Sequence, residues 1–166
     1  RNVLRAFGAA AATAALGGFP QLRAATAEKD PLPIQFYKSL SEEQRARICL
    51  PLDHPKRQFV SNWWYICPEQ RLHTFYTKDQ QQLIRQIYEG IIDPDWHSRI
   101  DKQLEDDAGG FGNDQNIAIF GTPGSNQFEL VMTGRHMTIR CDGNTTEHVA
   151  FGGPLFYGHA ADGFNE

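Results

Sequence analysis

Residues 116–158 constrain the fold more than any other part of the chain, because apolar and polar side chains alternate there between turn signals. Successive side chains of a strand point to opposite faces, so this alternation predicts four or five short antiparallel strands. The predicted apolar face carries Ile117, Ile119, Phe128, Leu130, Met132, Met137, Ile139 and Cys141. His136, Thr138 and Arg140 fall on the opposite face, so we predict a meander with one apolar and one polar face.

Turn-forming residues separate the predicted strands. Residues 122–126 form one such cluster, and Gly134-Arg135 predicts a tight reversal. Asp142-Gly143 favours a hairpin, because both residues tolerate a positive φ.

Two registers remain open for this last hairpin. A two-residue loop places His148 opposite Met137, on the apolar face. A three-residue loop places Val149 opposite Met137 instead, and His148 opposite Thr138 on the face of His136. The second register is favoured, because an imidazole buried on an apolar face without a partner is costly.

Helix start signals precede the strand region. Ser41 is followed three residues later by Gln44, and Thr77 by Gln80, which is the spacing of a capping box. Apolar residues then recur at helical spacing at Leu83, Ile84, Ile87, Tyr88 and Ile91. A further helix is predicted from Pro94, with a buried face formed by Trp96, Ile100 and Leu104. The sequence therefore predicts an α+β fold, with N-terminal helices packed on an antiparallel meander of about four to five strands.

Polar composition excludes several classes of function. The net charge of −4 offers no basic surface for nucleic acid, and no apolar run is suited to spanning a membrane. The phosphate-binding, nucleophile-elbow and zinc-protease motifs are absent. We interpret the carboxylates of residues 101–107 as a solvated helix face rather than an acid–base or metal site.

Three cysteines, Cys49, Cys67 and Cys141, form no C-x-x-C motif. One disulfide and one free thiol are compatible with export, but a protein that folds before export has less need of a disulfide. We expect Cys141 to lie in the core, because it continues the apolar face of its strand. The sequence leaves the pairing of the three thiols open.

Residues 1–27 resemble an export signal that is incomplete at its start. Basic residues precede a run rich in Ala and Gly, and Ala25-Thr26-Ala27 matches a signal-peptidase site. Arg1, followed by a polar residue and Val3-Leu4, resembles the second arginine of a twin-arginine signal, with an ordinary secretory signal as the alternative. We predict a linker over residues 28–38, recognition by the export machinery, and a periplasmic or secreted protein.

Several short motifs carry a family resemblance. They are Leu40-Ser41-x-Glu43-Gln44-Arg45, Trp64-Tyr65-x-x-Pro68, Phe120-Gly121-Thr122-Pro123-Gly124, Gly134-Arg135-His136 and Pro154-Leu155-Phe156-x-Gly158. On these residues the chain resembles the uncharacterised bacterial family called domain of unknown function 3500, whose activity is not established. Family members are longer, so the resemblance implies that residues 39–166 are the N-terminal part of one α+β domain and that Glu166 is a cut point. Many members have two histidines after this glycine, whereas here the first is Arg135.

A metal-dependent enzyme acting on a small molecule is the first functional hypothesis. His136 follows a turn on the polar face, His159 follows the last strand, and the favoured register brings His148 near His136. Neutral imidazoles suit zinc, copper, iron or nickel, which the sequence does not distinguish. Arg140 would lie near an anionic substrate.

A non-catalytic exported protein that binds a small ligand or a metal is the alternative. Trp63 and Trp64 are adjacent on an extended segment, so their side chains point to opposite faces. They either pack structurally or form the aromatic wall of a ligand cleft. The reaction, the substrate and the oligomeric state do not follow from the sequence.

Overall fold

A computed structural model describes residues 30–58, 65–125, 127–143 and 155–157. Within these residues the chain forms five α-helices, five strands and two short 3₁₀ turns, Pro55–Gln58 and Pro94–Trp96. The helices are α1 (Leu32–Ser39), α2 (Glu42–Ile48), α3 (Leu72–Phe75), α4 (Lys78–Ile91) and α5 (His97–Ala108). The strands are β1 (Cys49–Leu50), β2 (Asn116–Gly121), β3 (Phe128–Gly134), β4 (Met137–Gly143) and β5 (Leu155–Tyr157).

The predicted α+β class, with helices ahead of the strands, is confirmed. Among the described residues, none of the helices has both the length and the apolar character needed to cross a membrane. The predicted signal at residues 1–27 lies outside the described residues. So do four further residues that the sequence singles out, namely Trp63, Trp64, His148 and His159.

Both predicted capping boxes are present. The Ser41 hydroxyl accepts from the Gln44 backbone N–H, and the Gln44 side chain accepts from the Ser41 N–H. Thr77 and Gln80 make the same reciprocal pair at the start of α4. Each box satisfies two backbone donors that have no partner within the first turn of a helix.

Helix α1 occupies most of the predicted linker, which is therefore wrong over residues 32–38. Proline is compatible with the first turn of a helix, because the backbone N–H that it lacks would have no partner within the helix. Phe36 is completely buried and anchors α1 to the core. The prolines there mark a helix start, not an irregular segment.

Trp96 differs from the predicted buried position, since it is 52% exposed. It ends the 3₁₀ turn, and α5 begins only at His97. A 3₁₀ turn advances by three residues per turn, so the α-helical spacing counted from Pro94 is out of phase. Leu104, further along α5, is fully buried as predicted.

The sheet contains five strands in the order β1-β2-β3-β4-β5. Strands β2, β3 and β4 form the predicted antiparallel meander. Strand β1 adds to β2 in parallel, with Cys49 beside Ile119 and Leu50 beside Phe120. The sheet is therefore mixed, because this pair is parallel and the others are antiparallel. Strand β1 directly follows α2 and is far from β2 in the sequence.

The predicted turn at Asp142-Gly143 is wrong. Strand β4 continues through Gly143, which pairs with Phe128 of β3. On its other side β4 pairs with β5, so Tyr157 lies opposite Met137 and Phe156 lies opposite Thr138. Neither predicted register has this pairing, because local turn preference is outweighed by a ladder that continues along β3.

Both faces of the sheet are buried, including the predicted polar one. Asn116, Thr133 and Thr138 on that face are fully buried. Ile66 and Cys67 supply partners for this face, since the Ile66 N–H donates to Thr133 Oγ1 (3.3 Å) and the Cys67 N–H donates to Asn116 Oδ1 (3.4 Å). The polar side chains therefore attach a covering segment to the sheet.

Candidate functional site

The hairpin between β3 and β4 has an unusual backbone. Gly134 pairs with Met137, so Arg135 and His136 are the two loop residues and His136 lies one position before β4. His136 has a φ of 56°, the one positive value at a non-glycine position among the described residues. Non-glycine residues rarely adopt this left-handed backbone conformation, so the contacts around His136 must stabilise it.

Asp107, in the last turn of α5, supplies two of these contacts. Its Oδ2 lies 2.8 Å from His136 Nδ1, and its Oδ1 lies 3.0 Å from Arg135 Nε. The side chains of Asp107 and His136 are only 14% and 9% exposed. Because an ionised carboxylate only accepts hydrogen bonds, Nδ1 of His136 must carry a proton in this pair.

The interpretation of the carboxylates in residues 101–107 as a solvated face is therefore wrong for Asp107. It holds for Asp106, which is 62% exposed and pairs with Lys102. A carboxylate in the last turn of a helix is electrostatically unfavourable, which applies to Asp106 and Asp107 alike. Gly109, whose φ of 70° forms the left-handed cap, marks that helix end two residues after Asp107. An acidic residue there needs a cationic or N–H partner.

Asp114 holds the hairpin from the other side. Its carboxylate accepts from the backbone N–H of Arg135 (2.9 Å) and from the Tyr65 hydroxyl (2.8 Å). Arg71 Nη1 lies 3.6 Å from the same carboxylate, and its guanidinium stacks 3.7 Å above the Tyr65 ring. Two carboxylates on different segments thus hold one two-residue turn.

The arrangement suits a histidine that acts through Nε2. When a neutral imidazole donates Nδ1–H to a carboxylate, the lone pair lies on Nε2, which then serves as a metal ligand or a base. Among the described residues, no three His, Cys, Asp or Glu side chains lie close enough to hold a metal ion. A metal at His136 would therefore need at least one ligand from outside the described residues.

The other described histidines have ordinary structural contacts. His54 accepts from the Lys56 N–H (3.2 Å), and His73 pairs with Asn113 (2.9 Å). His97 lies 2.9 Å from the carbonyl of Ile92, just beyond α4. Of the described histidines, His136 alone joins a carboxylate.

Arg140 lies in a buried ion pair with Glu129. It is 7% exposed, and its Nη1 lies 2.6 Å from Glu129 Oε1. Arg57 binds the other oxygen of Glu129 at 2.7 Å. Four residues along a strand separate Arg140 from His136, about 13 Å at the usual rise. Arg140 therefore belongs to a buried ion network, away from the hairpin.

One surface pocket of about 170 Å³ lies beside this network. Its lining is Leu52, Asp53, His54, Pro55, Arg57 and Gln58. Pockets for drug-sized ligands occupy about 300–1,000 Å³, so this one suits a ligand of only a few atoms. In the sequence, the lining residues directly precede residues 59–64, which include Trp63 and Trp64.

The chain matches no protein-family model, no curated protein and no solved structure. The resemblance to domain of unknown function 3500 therefore rests on the short motifs alone and stays a prediction.

Proposed function

We propose that this chain is part of an exported, metal-dependent enzyme acting on a small molecule, with His136 as a metal ligand. The observation that carries this proposal is the 2.8 Å contact between Asp107 and His136 Nδ1. Metal-bound histidines almost always donate their second ring N–H to a carboxylate, a carbonyl or a water, which orients the ring and raises its basicity. Asp107 would perform this role here.

His159 is the best second ligand. Strand β5 runs antiparallel to β4, and Tyr157 lies beside Met137. The chain therefore leaves β5 at the end of the sheet where His136 lies. Two residues of chain span at most about 7 Å, so His159 starts within reach of that end.

His148 remains a candidate ligand without support from strand register. The residue opposite Thr138 is Phe156, so the pairing that brought His148 beside His136 does not occur. Imidazole ligands suit zinc, copper, iron or nickel, and metal analysis would choose among them.

Export through the twin-arginine route suits this function, because a metal enzyme carried in the folded state takes its metal before crossing the membrane. The basic start of the chain and Ala25-Thr26-Ala27 support this location. The family resemblance supplies no reaction.

Metal analysis of the full-length protein tests the proposal. We expect bound metal near one equivalent in the wild-type protein and almost none in His136→Asn, because asparagine tolerates a positive φ but lacks the imidazole. Asp107→Asn should weaken metal affinity about 10- to 100-fold while retaining the site. His54→Asn is the matched control and should keep its metal.

Metal-free wild-type protein that also fails to take up zinc, copper, iron or nickel would overturn the proposal. Full metal occupancy in His136→Asn would reject this residue as the ligand. Circular dichroism of each variant separates a lost ligand from a lost fold.

A non-catalytic ligand-binding protein is the second candidate, and the pocket at residues 52–58 favours it. Arg57 and His54 line this pocket, and Trp63 and Trp64 follow within seven residues of Arg57. Native mass spectrometry of the purified protein would detect a retained small molecule. In this reading Arg57→Met loses the molecule, whereas His136→Asn retains it.

A further inference from the structure

We propose that Asp114 is a positioning residue, which holds the Arg135–His136 turn so that Asp107 fixes the Nδ1–H tautomer of His136. The inference rests on the proposed function for its consequence in metal binding. The tautomer itself is a property of the hairpin and is measured separately.

The backbone contact is the first step. Asp114 accepts from the N–H of Arg135, the residue directly before the left-handed His136. In a two-residue loop this N–H lies outside the ladder between β3 and β4. The carboxylate therefore gives the loop an anchor in addition to the ladder between β3 and β4.

Close packing of the hairpin is the second step. A Cβ built on Gly134 would meet the Asp114 carbonyl at 3.2 Å and the Gln115 side chain at 3.2 Å. The absence of a side chain at Gly134 thus lets residues 114–115 approach the end of β3. The approach brings the Asp114 carboxylate within hydrogen-bond distance of the loop.

Support for Asp114 itself is the third step. The Tyr65 hydroxyl donates to both of its oxygens, at 2.8 and 2.9 Å. Arg71 Nη1 donates to the Asp114 carbonyl at 2.8 Å and lies 3.6 Å from the carboxylate. Tyr65 and Arg71 therefore hold Asp114 in place, in addition to its contact with the loop.

Tautomer control is the last step. Both oxygens of Asp107 are used, one by Arg135 Nε and one by His136 Nδ1. A neutral ring with its proton on Nε2 would present an Nδ1 lone pair to the carboxylate, which is repulsive. Holding the loop in place therefore keeps the proton on Nδ1 and the lone pair on Nε2.

Nitrogen-15 NMR of the histidine rings in the full chain tests this inference. Wild-type protein should show His136 in the Nδ1–H form. Asp114→Ala, which removes the acceptor, should add a measurable Nε2–H population and weaken zinc binding about 10-fold. Asp106→Asn is the control, because this exposed neighbour of Asp107 pairs only with Lys102 among described residues; it should change neither quantity.

Arg135→Pro and Arg135→Ala form a second, matched pair in case Asp114→Ala does not fold. Both variants remove the side chain, but only proline removes the N–H that Asp114 accepts. The φ of Arg135 is not positive, so proline is compatible in sign. We expect a larger Nε2–H population in the proline variant than in the alanine variant.

An unchanged tautomer in Asp114→Ala, or equal populations in the two Arg135 variants, would overturn the inference. The two proposals fail separately. A wild-type protein that binds no zinc but shows the expected tautomer shifts overturns the metal function and leaves the positioning role. Zinc binding through His136 that is indifferent to Asp114 does the reverse.

Discussion

Glu129 lies between two guanidinium groups on the buried polar face of the sheet. Its oxygens contact Arg57 Nε at 2.7 Å and Arg140 Nη1 at 2.6 Å. Glu129 and Arg140 have side chains only 7% and 8% exposed. Taking such charges out of water is costly, so each depends on its partner. Arg57 joins residues 51–58 to β3 through the same carboxylate.

Glu129→Gln should therefore lower the free energy of unfolding by about 3 kcal/mol, because the Arg140 charge stays buried without its carboxylate. Urea unfolding measures this change. Glu43→Gln is the control, since the Glu43 side chain is 77% exposed in its pair with Arg47 and should cost less than about 1 kcal/mol. Equal small losses in both variants would contradict the argument.

The local sequence singled out His136 but not its partners. The turn and the polar face drew attention to the histidine, whereas Asp107 is 29 positions away and was counted with its solvated neighbours. Arg140 was assigned to a substrate because its partner Glu129 is identified only by the pairing of β3 with β4. Side-chain partners that depend on strand register or helix docking leave little trace in local sequence.

Helices α2 and α4 meet through their capping boxes. The third helical residue of each, Gln44 and Gln80, donates its side-chain amide to the other at 2.9 Å. Gln80 also donates to the carbonyl of Ser39 at the end of α1. Each glutamine thus closes its own helix start and contacts a second helix.

A double-mutant cycle should show that these two glutamines are coupled. We expect Gln44→Ala and Gln80→Ala together to destabilise less than the sum of the single changes, by about 1 kcal/mol, because each single change already breaks the shared pair. Denaturant unfolding gives the four free energies. The cycle of Gln44→Ala with the exposed Lys102→Ala should be additive within about 0.5 kcal/mol, and a purely additive glutamine cycle would refute the coupling.

Element starts were more predictable than element ends. Capping boxes at Ser41 and Thr77 are local, so the sequence reveals them directly. Asp142-Gly143 has an equally strong local preference for a turn, but β4 continues through it because β3 offers a partner along its whole length. Strand β5 is defined only by its contact with β4, and the alternating pattern did not locate it.

Buried weak acids make the whole molecule sensitive to alkali. Burial raises the pKa of Cys49 and of Cys67 to about 11, against a smaller opposing effect of Arg45 on the first and Lys56 on the second. Burial also raises the pKa of Tyr76 well above its usual range. The unfolded chain loses these protons at lower pH than the folded one.

The sign of the effect follows from proton binding. Between about pH 9, the ordinary thiol pKa, and about pH 11 the folded protein retains thiol protons that the unfolded chain has released. The contribution of these groups to the free energy of unfolding should therefore be constant below about pH 9 and fall as the pH rises towards 11. Urea unfolding from pH 8 to 11 measures it. Cys49→Ala combined with Cys67→Ala should make the fall shallower, and a constant stability up to pH 11 in the wild type would contradict this prediction.

The class of the fold was predictable at this largest scale because it needs only the order and type of the elements. The parallel edge was not, because β1 has two residues, Cys49 and Leu50, and follows α2 without a turn signal. Its partner Ile119 lies about seventy residues further along the chain. No short window of sequence contains both strands.

The pairing of β1 with β2 also fixes the order in which parts of the fold can form during synthesis. At about 5–20 residues per second, a ribosome needs about 4–14 s to add the seventy residues between Cys49 and Ile119. Throughout that interval Ile48, which is fully buried in the finished protein, lacks strand β2, which packs against its helix α2. Helix α2 is thus synthesised well before the strand that packs against it. Transiently exposed apolar surface of this kind is what chaperones bind.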